Sequence, residues 1–262
     1  MKNVEFLKDQ MKYTGFGEGY ETQLKEKIGK GLPEFQISHR AEYGNDVVTA
    51  TLDFSKSKNS DMYFFNSYKI DMKPEGSNEL MSQSFQIGTR NNITLKEAYN
   101  MMNGRSIYKE FNKVEKQGEG ESARFAPTDE KYQAWKQMNF KETTKNGNFK
   151  LDTFTDAYGF KLQDELCKLP LKELQDKVAN QRLIESLEKG NRPLVTLIQD
   201  GNERQHYLVA NPKFKRIDVY DNALQKVDMT QGQKAEKKES QQENLAGEKK
   251  TRKSNAKKNA VA

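Results

Sequence analysis

Turns of two or three residues between strand-like stretches bar a parallel sheet, because a parallel crossover needs about a dozen residues. This chain carries such turns repeatedly. Phe35-Gln36-Ile37-Ser38-His39 alternates as a strand and Gly44-Asn45-Asp46 turns it. Val48, Ala50, Leu52 and Phe54 then line one face of a second strand. A third runs from Met62 to Met72, where Met62, Phe64, Tyr68, Ile70 and Met72 share a face, and Asn66 interrupts the pattern as a bulge or an inward hydrogen-bonding side chain would. Phe85 and Ile87 mark a short strand. Ala134–Phe140 and Phe149–Phe154 flank Asn146-Gly147, the dipeptide suited to a type I′ turn. Near the end, Leu194–Gln199, Asp200-Gly201, Gln205–Ala210 and Arg216–Tyr220 repeat the strand, turn, strand, strand order.

Helical periodicity fills much of the remainder. Asn3–Lys12 is weakly amphipathic, and Tyr20, Leu24 and Ile28 place a helix that Gly31 and Pro33 end. Thr94-Leu95-Lys96-Glu97 reads as a capping box, followed by Leu95, Ala98, Tyr99 and Met102 in helical phase until Asn103-Gly104. Leu162, Leu166 and Leu169 run in phase to Pro170, and Ala179, Leu183 and Leu187 to Gly190. The polar, Gly-bearing stretch from Glu115 to Glu130 reads as a mobile loop. Leu24–Gly31 and Leu183–Gly190 match in pattern, each followed by a Pro and then by strands. That echo fits a duplication, and it equally fits the ordinary way a helix is capped before a strand. The expected class is α+β: two helix-plus-antiparallel-meander modules, over 1–90 and 157–229, joined by a helix, loop and hairpin over 91–156.

Charge divides the chain differently. Residues 230–262 hold nine Lys and Arg against four Glu, whereas residues 1–229 hold 35 basic and 34 acidic groups. Ordering a residue costs about 1–2 kcal/mol. A segment whose larger aliphatics are Leu245 and Val261, with no aromatic, lacks the apolar surface to offset this. The composition predicts a disordered basic tail over 230–262. Lys249, Lys250, Arg252, Lys253, Lys257 and Lys258 form its densest block, suited to nonspecific phosphate contacts or simply to solubility. No apolar run approaches the roughly 18 residues of a membrane span, and MKNVEFLKDQ lacks the apolar stretch of a signal peptide. A cytoplasmic protein is expected.

Candidate chemistry is sparse. The chain has one Cys and two His, too few for a Cys/His zinc site, and nothing calls for a cofactor. The glycines Gly15, Gly17 and Gly19 lack the preceding strand and following βαβ unit of a dinucleotide fingerprint. G-x-S-x-G is absent. His39 and His206 read as strand histidines on different modules, and Cys167 as a packed helix residue. Asp53, Asp61, Asp71, Asp218 and Asp221 would make a metal-dependent nuclease only if several converged, and Asp218 and Asp221 fit turn capping better. The aromatic run Met62–Lys69 leaves two readings for Tyr63 and Phe65: a second packing layer, or an outward stacking or partner surface.

Several motifs together bear a resemblance. MKYTGFGE at Met11–Glu18, DMYFFNSY at Asp61–Tyr68 and NGRSIYKE at Asn103–Glu110 are similar to those of an uncharacterised family common in Bacteroides and relatives. So are Asn146–Phe149 with Tyr158-Gly159-Phe160, and Ala210–Phe214 leading to Val219-Tyr220-Asp221. The resemblance spans roughly residues 10–228. It implies domains of unknown function carried on conjugative or other mobile elements, sometimes within larger proteins acting on DNA or ending in Lys-rich tails. It brings no catalytic residues. The expectation is a non-enzymatic accessory protein binding a protein or nucleic-acid partner. The alternatives are a carboxylate-dependent DNA-processing enzyme and a regulatory or anti-defence module whose ligand is another protein.

Overall fold

The computed structural model describes residues 2–73, 76–89, 91–119 and 124–229. The tail expectation, with Lys249, Lys250, Arg252, Lys253, Lys257 and Lys258, lies outside the described residues. The architecture is α+β and its sheets are antiparallel.

The first sheet is a meander in the order β1 (Glu34–Tyr43), β2 (Asp46–Lys56), β3 (Tyr63–Met72) and β4 (Met81–Gln86). One face carries Phe35, Ile37, Val48, Ala50, Leu52, Phe54, Ile70 and Met72 into a core. Helices α1 (Lys2–Met11) and α2 (Glu21–Gly29), with the π-helical turn Lys12–Phe16 between them, cover that face through Val4, Leu7, Met11, Phe16 and Leu24. The other face is polar, with Gln36, Ser38, Arg40, Thr49 and Lys69 exposed. This is the half-solvated sheet that alternation predicts.

The alternation breaks once, and the break decides where the aromatics go. Leu52 pairs with Tyr68 and Asp53 with Ser67, but Phe54 pairs with Phe65, leaving Asn66 as an extra residue. A bulge of one residue reverses the facing of everything before it. Tyr63 and Phe65 are therefore 1% and 2% exposed, in the same core as Tyr68, while Phe64 stands outside at 45%. Of the two readings for Tyr63 and Phe65, the outward stacking or partner surface is corrected: they form the packing layer. Phe65 stacks on Phe54 at 4.9 Å, and the Tyr63 hydroxyl donates to Leu32 O at 2.7 Å.

The middle sheet has β5 (Ile107–Gln117), β6 (Arg124–Thr143) and β7 (Phe149–Thr155). The expected mobile loop from Glu115 to Glu130 is also corrected, because Glu115 pairs with Ala126 and Lys116 with Phe125 in a long hairpin. Residues 113–117 are exposed on both faces, so no apolar alternation marks them. Pro127 sits opposite Val114, beside the irregularity at Asn112/Val114, where a missing amide hydrogen is tolerated. The turn at Asn146-Gly147 is not type I′ either. Gly147 alone is left-handed, its amide closing on Thr144 O at 3.0 Å. The Asn148 side-chain oxygen Oδ1 accepts from the Ser84 backbone amide at 2.9 Å, which moors the hairpin on β4. Type I′ geometry instead belongs to Asp200-Gly201, both left-handed between paired Gln199 and Asn202.

The third sheet repeats the first meander: β8 (Leu194–Gln199), β9 (Asn202–Asn211), β10 (Arg216–Tyr220) and β11 (Lys226–Val227), after helices α4 (Leu162–Leu166) and α5 (Lys177–Glu188). Its core joins Leu166, Leu183, Leu187, Val195, Leu197, Leu208 and Val219. The middle sheet serves both cores. It gives Ile107 and Met138 to the first, and Trp135 and Phe154 to the second.

Helix α3 (Leu95–Met102) starts in the expected capping box, with Thr94 and Glu97 bonded reciprocally. It ends against the loop after α5. There Gly190, at φ 71°, lies so close that a Cβ would stand 2.9 Å from Ser106 O and 3.2 Å from Asn100 Cβ. Gly190→Ala should therefore cost about 2–4 kcal/mol through overpacking and left-handed strain. Gly201→Ala, also left-handed but with open space around it, should cost about 1–2 kcal/mol. Urea unfolding midpoints of the two variants check the difference.

Candidate functional site

The junction of the two meanders is a cleft lined by aromatic rings and cations. From the first side come Tyr43 and Gly44 at the β1–β2 turn, Lys96, Tyr99 and Asn100 on α3, and Arg105 just beyond it. From the second come Asn191 and Arg192 after α5, Tyr207 on β9, and Asn222 and Leu224 after β10. This hollow measures about 380 Å³ and adjoins a larger, open one of about 1220 Å³. The two share Tyr43, Gly44, Tyr99, Arg192 and Leu224. The larger hollow adds Lys69 and Lys73, along with Asp46 and Asp71.

Local structure explains each position. The β1–β2 connection is two residues long, with Gly44 alone at positive φ, so it turns tightly and brings Tyr43 next to α3. Lys96 and Tyr99 stand three residues apart and share a face of α3. The Tyr43 and Tyr99 rings lie 4.5 Å apart between centroids, and Lys96 Nζ sits over both at 4.1 and 4.3 Å. Ring faces, rather than a carboxylate, hold this ammonium. Arg105 lies 5.4 Å from the Tyr99 centroid, and Arg192 5.8 Å from that of Tyr207.

Asn100 locks the two sides together. It is fully buried, and its amide donates to Lys189 O at 2.7 Å and Asn191 Oδ1 at 3.0 Å. Its carbonyl accepts from the Arg105 guanidinium at 2.8 Å.

Electrostatics in the cleft favour a bound anion. Burial, then the Arg105 guanidinium, pull the Lys96 ammonium down to about 8, with Asp46 opposing. Burial, followed by the hydrogen bond to Asp46 at 2.7 Å, pushes the Tyr99 phenol up to about 12, so it stays neutral. An anion entering here meets two guanidiniums and an ammonium at a partly desolvated surface, where such contacts are stronger than in water. Tyr43 and Tyr207, both half-buried, leave some ring surface for a planar group, whereas Tyr99 is only 8% exposed.

The residues singled out from sequence do not gather here. His39 on β1 bonds the Tyr20 hydroxyl and meets the edge of Phe16, and burial lowers its basicity. His206 lies on β9, its Nδ1 3.3 Å from Arg204 O. Cys167 is exposed rather than packed, because it falls just past the end of the short α4. Asp53 bonds Gln36 and Ser67, Asp61 pairs with Lys56, and Asp71 with Lys69. Asp218 is buried between Arg216 and Lys226, and Asp221 caps its turn through the Gln225 amide. Among the described residues no group of three or more His, Cys, Asp or Glu is placed to hold a metal ion.

Sequence reasoning missed the cleft. Tyr99 was read only as part of the apolar phase of α3, and Lys96 only as part of a capping box. Their spacing on one helical turn was the sole local signal.

No family model matches the chain, and neither a curated protein nor a solved structure does. No described helix is long and apolar enough to cross a membrane.

A bound phosphate would offset Arg105 and let Lys96 keep its proton to higher pH. Affinity for a phosphate-bearing ligand should thus be full below about pH 7. It should fall as the free Lys96 deprotonates through about 8. Calorimetry at pH 8 in two buffers of different ionisation enthalpy should register proton uptake on binding, and Lys96→Gln should abolish it.

Proposed function

We propose that this chain is a non-enzymatic cytoplasmic accessory protein of a mobile element, and that its cleft binds single-stranded nucleic acid. The observation that carries the reading is the pairing of ring and cation on both walls: Lys96 over Tyr43 and Tyr99, and Arg192 beside Tyr207. Single strands expose both phosphates and base faces, and proteins hold them by combining charge with stacking. A duplex hides its base faces and offers these rings little. Residues 1–229 carry a near balance of charge, so local clustering supplies the attraction in the body. The basic tail block Lys249–Lys258 adds nonspecific phosphate contacts whose strength falls with salt. The mobile-element setting rests on the resemblance of the chain's motifs to those of a Bacteroides-type family.

Fluorescence anisotropy with a labelled 12-nucleotide oligothymidylate and a 12-base-pair duplex, at two salt concentrations, tests this. The full chain should favour the single strand. Lys96→Gln combined with Arg192→Gln should weaken that binding at least about tenfold, given about 1.5–3 kcal/mol for each hydrogen bond to a charged group. A full-length variant with the six basic tail residues changed to Ala should lose part of the salt dependence and keep the preference. Equal binding by the cleft variant, or no binding by the wild-type chain, overturns the reading.

A further inference from the structure

The β9–β10 turn lines neither hollow of the cleft. In Ala210–Phe214 the chain leaves β9, makes a 3-10 turn over Pro212–Phe214, and enters β10 through Lys215. Lys215 holds φ 50°, a left-handed conformation disfavoured for a residue with a Cβ. The turn is anchored from below, because the Tyr158 hydroxyl donates to Lys213 O at 2.8 Å and the Tyr158 ring packs on Phe154 at 4.9 Å. Lys215 Nζ then lies 4.7 Å from the Tyr158 centroid, and Arg216 lies 5.4 Å from that of Phe214. Phe214 itself is 63% exposed and belongs to neither core. Carboxylates engage two of the adjacent cations, Lys213 with Asp152 at 3.5 Å and Arg216 with the buried Asp218 at 2.9 Å. Lys215 is held by a ring face instead.

We infer that Phe214 and Tyr158, with Lys215 and Arg216, form a second nucleic-acid contact, in which an unpaired base stacks on Phe214 and Lys215 takes the neighbouring phosphate. This rests on the single-strand reading above and extends it to a second site. Aromatic area with cations at its rim suits a base and its phosphate. An acidic peptide would use the charge and leave the ring wet.

Two full-length variants spare the fold. Phe214→Ala removes an exposed ring, and Lys215→Asn keeps a residue that tolerates the left-handed backbone. Binding of the 12-nucleotide oligothymidylate, and photocrosslinking to the same strand carrying one 5-iodouracil, are then measured. Phe214→Ala should weaken binding roughly five- to a hundredfold, as loss of one stacked base does. It should also abolish the crosslink mapped to 212–216 while leaving crosslinks to Tyr43, Tyr99 or Tyr207. Lys215→Asn should lower the slope of log affinity against log salt by about 1. Unchanged affinity and crosslinks in Phe214→Ala, with binding still lost in the cleft variant, overturn the second contact and leave the cleft reading standing. Binding by neither wild type nor variant overturns both. A loss of oligoglutamate binding in Lys215→Asn without loss of oligothymidylate binding also overturns the proposal, in favour of an acidic protein partner.

Discussion

The arrangement of the two meanders depends on one buried amide. Asn100 has no exposed surface, so its donor and acceptor must find protein partners, and an unmet group would cost about 1–3 kcal/mol. It meets them on both sides of the junction: Lys189 and Asn191 from the loop after α5, Arg105 from the end of α3. Gly190 lies between the two loop partners, and only the absence of its side chain allows the loop to approach. Directional bonds of this kind fix a relative orientation in a way that apolar packing does not. The cleft walls keep their spacing because this contact has a single satisfied geometry.

That spacing gives the cleft its chemistry. Contacts between cations and rings contribute about 0.5–2 kcal/mol each, depending on how far the cation is desolvated. In the free protein they hold Lys96 in position against the unfavourable push of Arg105. An anion bound as proposed would remove the push and leave the ring contacts in place, with little rearrangement of the site. The same combination recurs at the turn after β9, where Lys215 and Arg216 lie beside Tyr158 and Phe214. The junction rings do two jobs at once: Tyr99 lies in the first core with Tyr43 packed against it, and both hold Lys96.

Local grammar was legible in the sequence wherever a residue's role is set by its immediate neighbours. The Thr94–Glu97 capping box, the helix stop at Asn103-Gly104 and the strand order after Pro193 all depend on such neighbours, and all are present. The interruption at Asn66 fits a bulge or an inward side chain equally well in sequence, and the bulge's phase reversal acts several positions away, at Tyr63 and Phe65. The β5–β6 hairpin was lost for another reason. Its outer half is wetted on both faces, and alternation requires one dry face. The cleft was the least legible feature. Tyr43, Lys96, Arg192 and Tyr207 come from four elements, and no pattern along the chain links a residue to one a hundred positions later.

The shared middle sheet carries a consequence for how the chain emerges from the ribosome. The first core draws on Ile107 and Met138, with Phe149 and Leu151 packed against it, so its floor is synthesised long after its four-stranded sheet. The nascent amino-terminal half must wait, with one flank uncovered, until β7 has cleared the exit tunnel. By then Trp135 and Phe154 are already on hand as the template on which the later meander condenses. At roughly 5–20 residues per second, that wait lasts about 3–14 seconds. The two meanders are therefore successive stages of one vectorial assembly rather than interchangeable beads on a string.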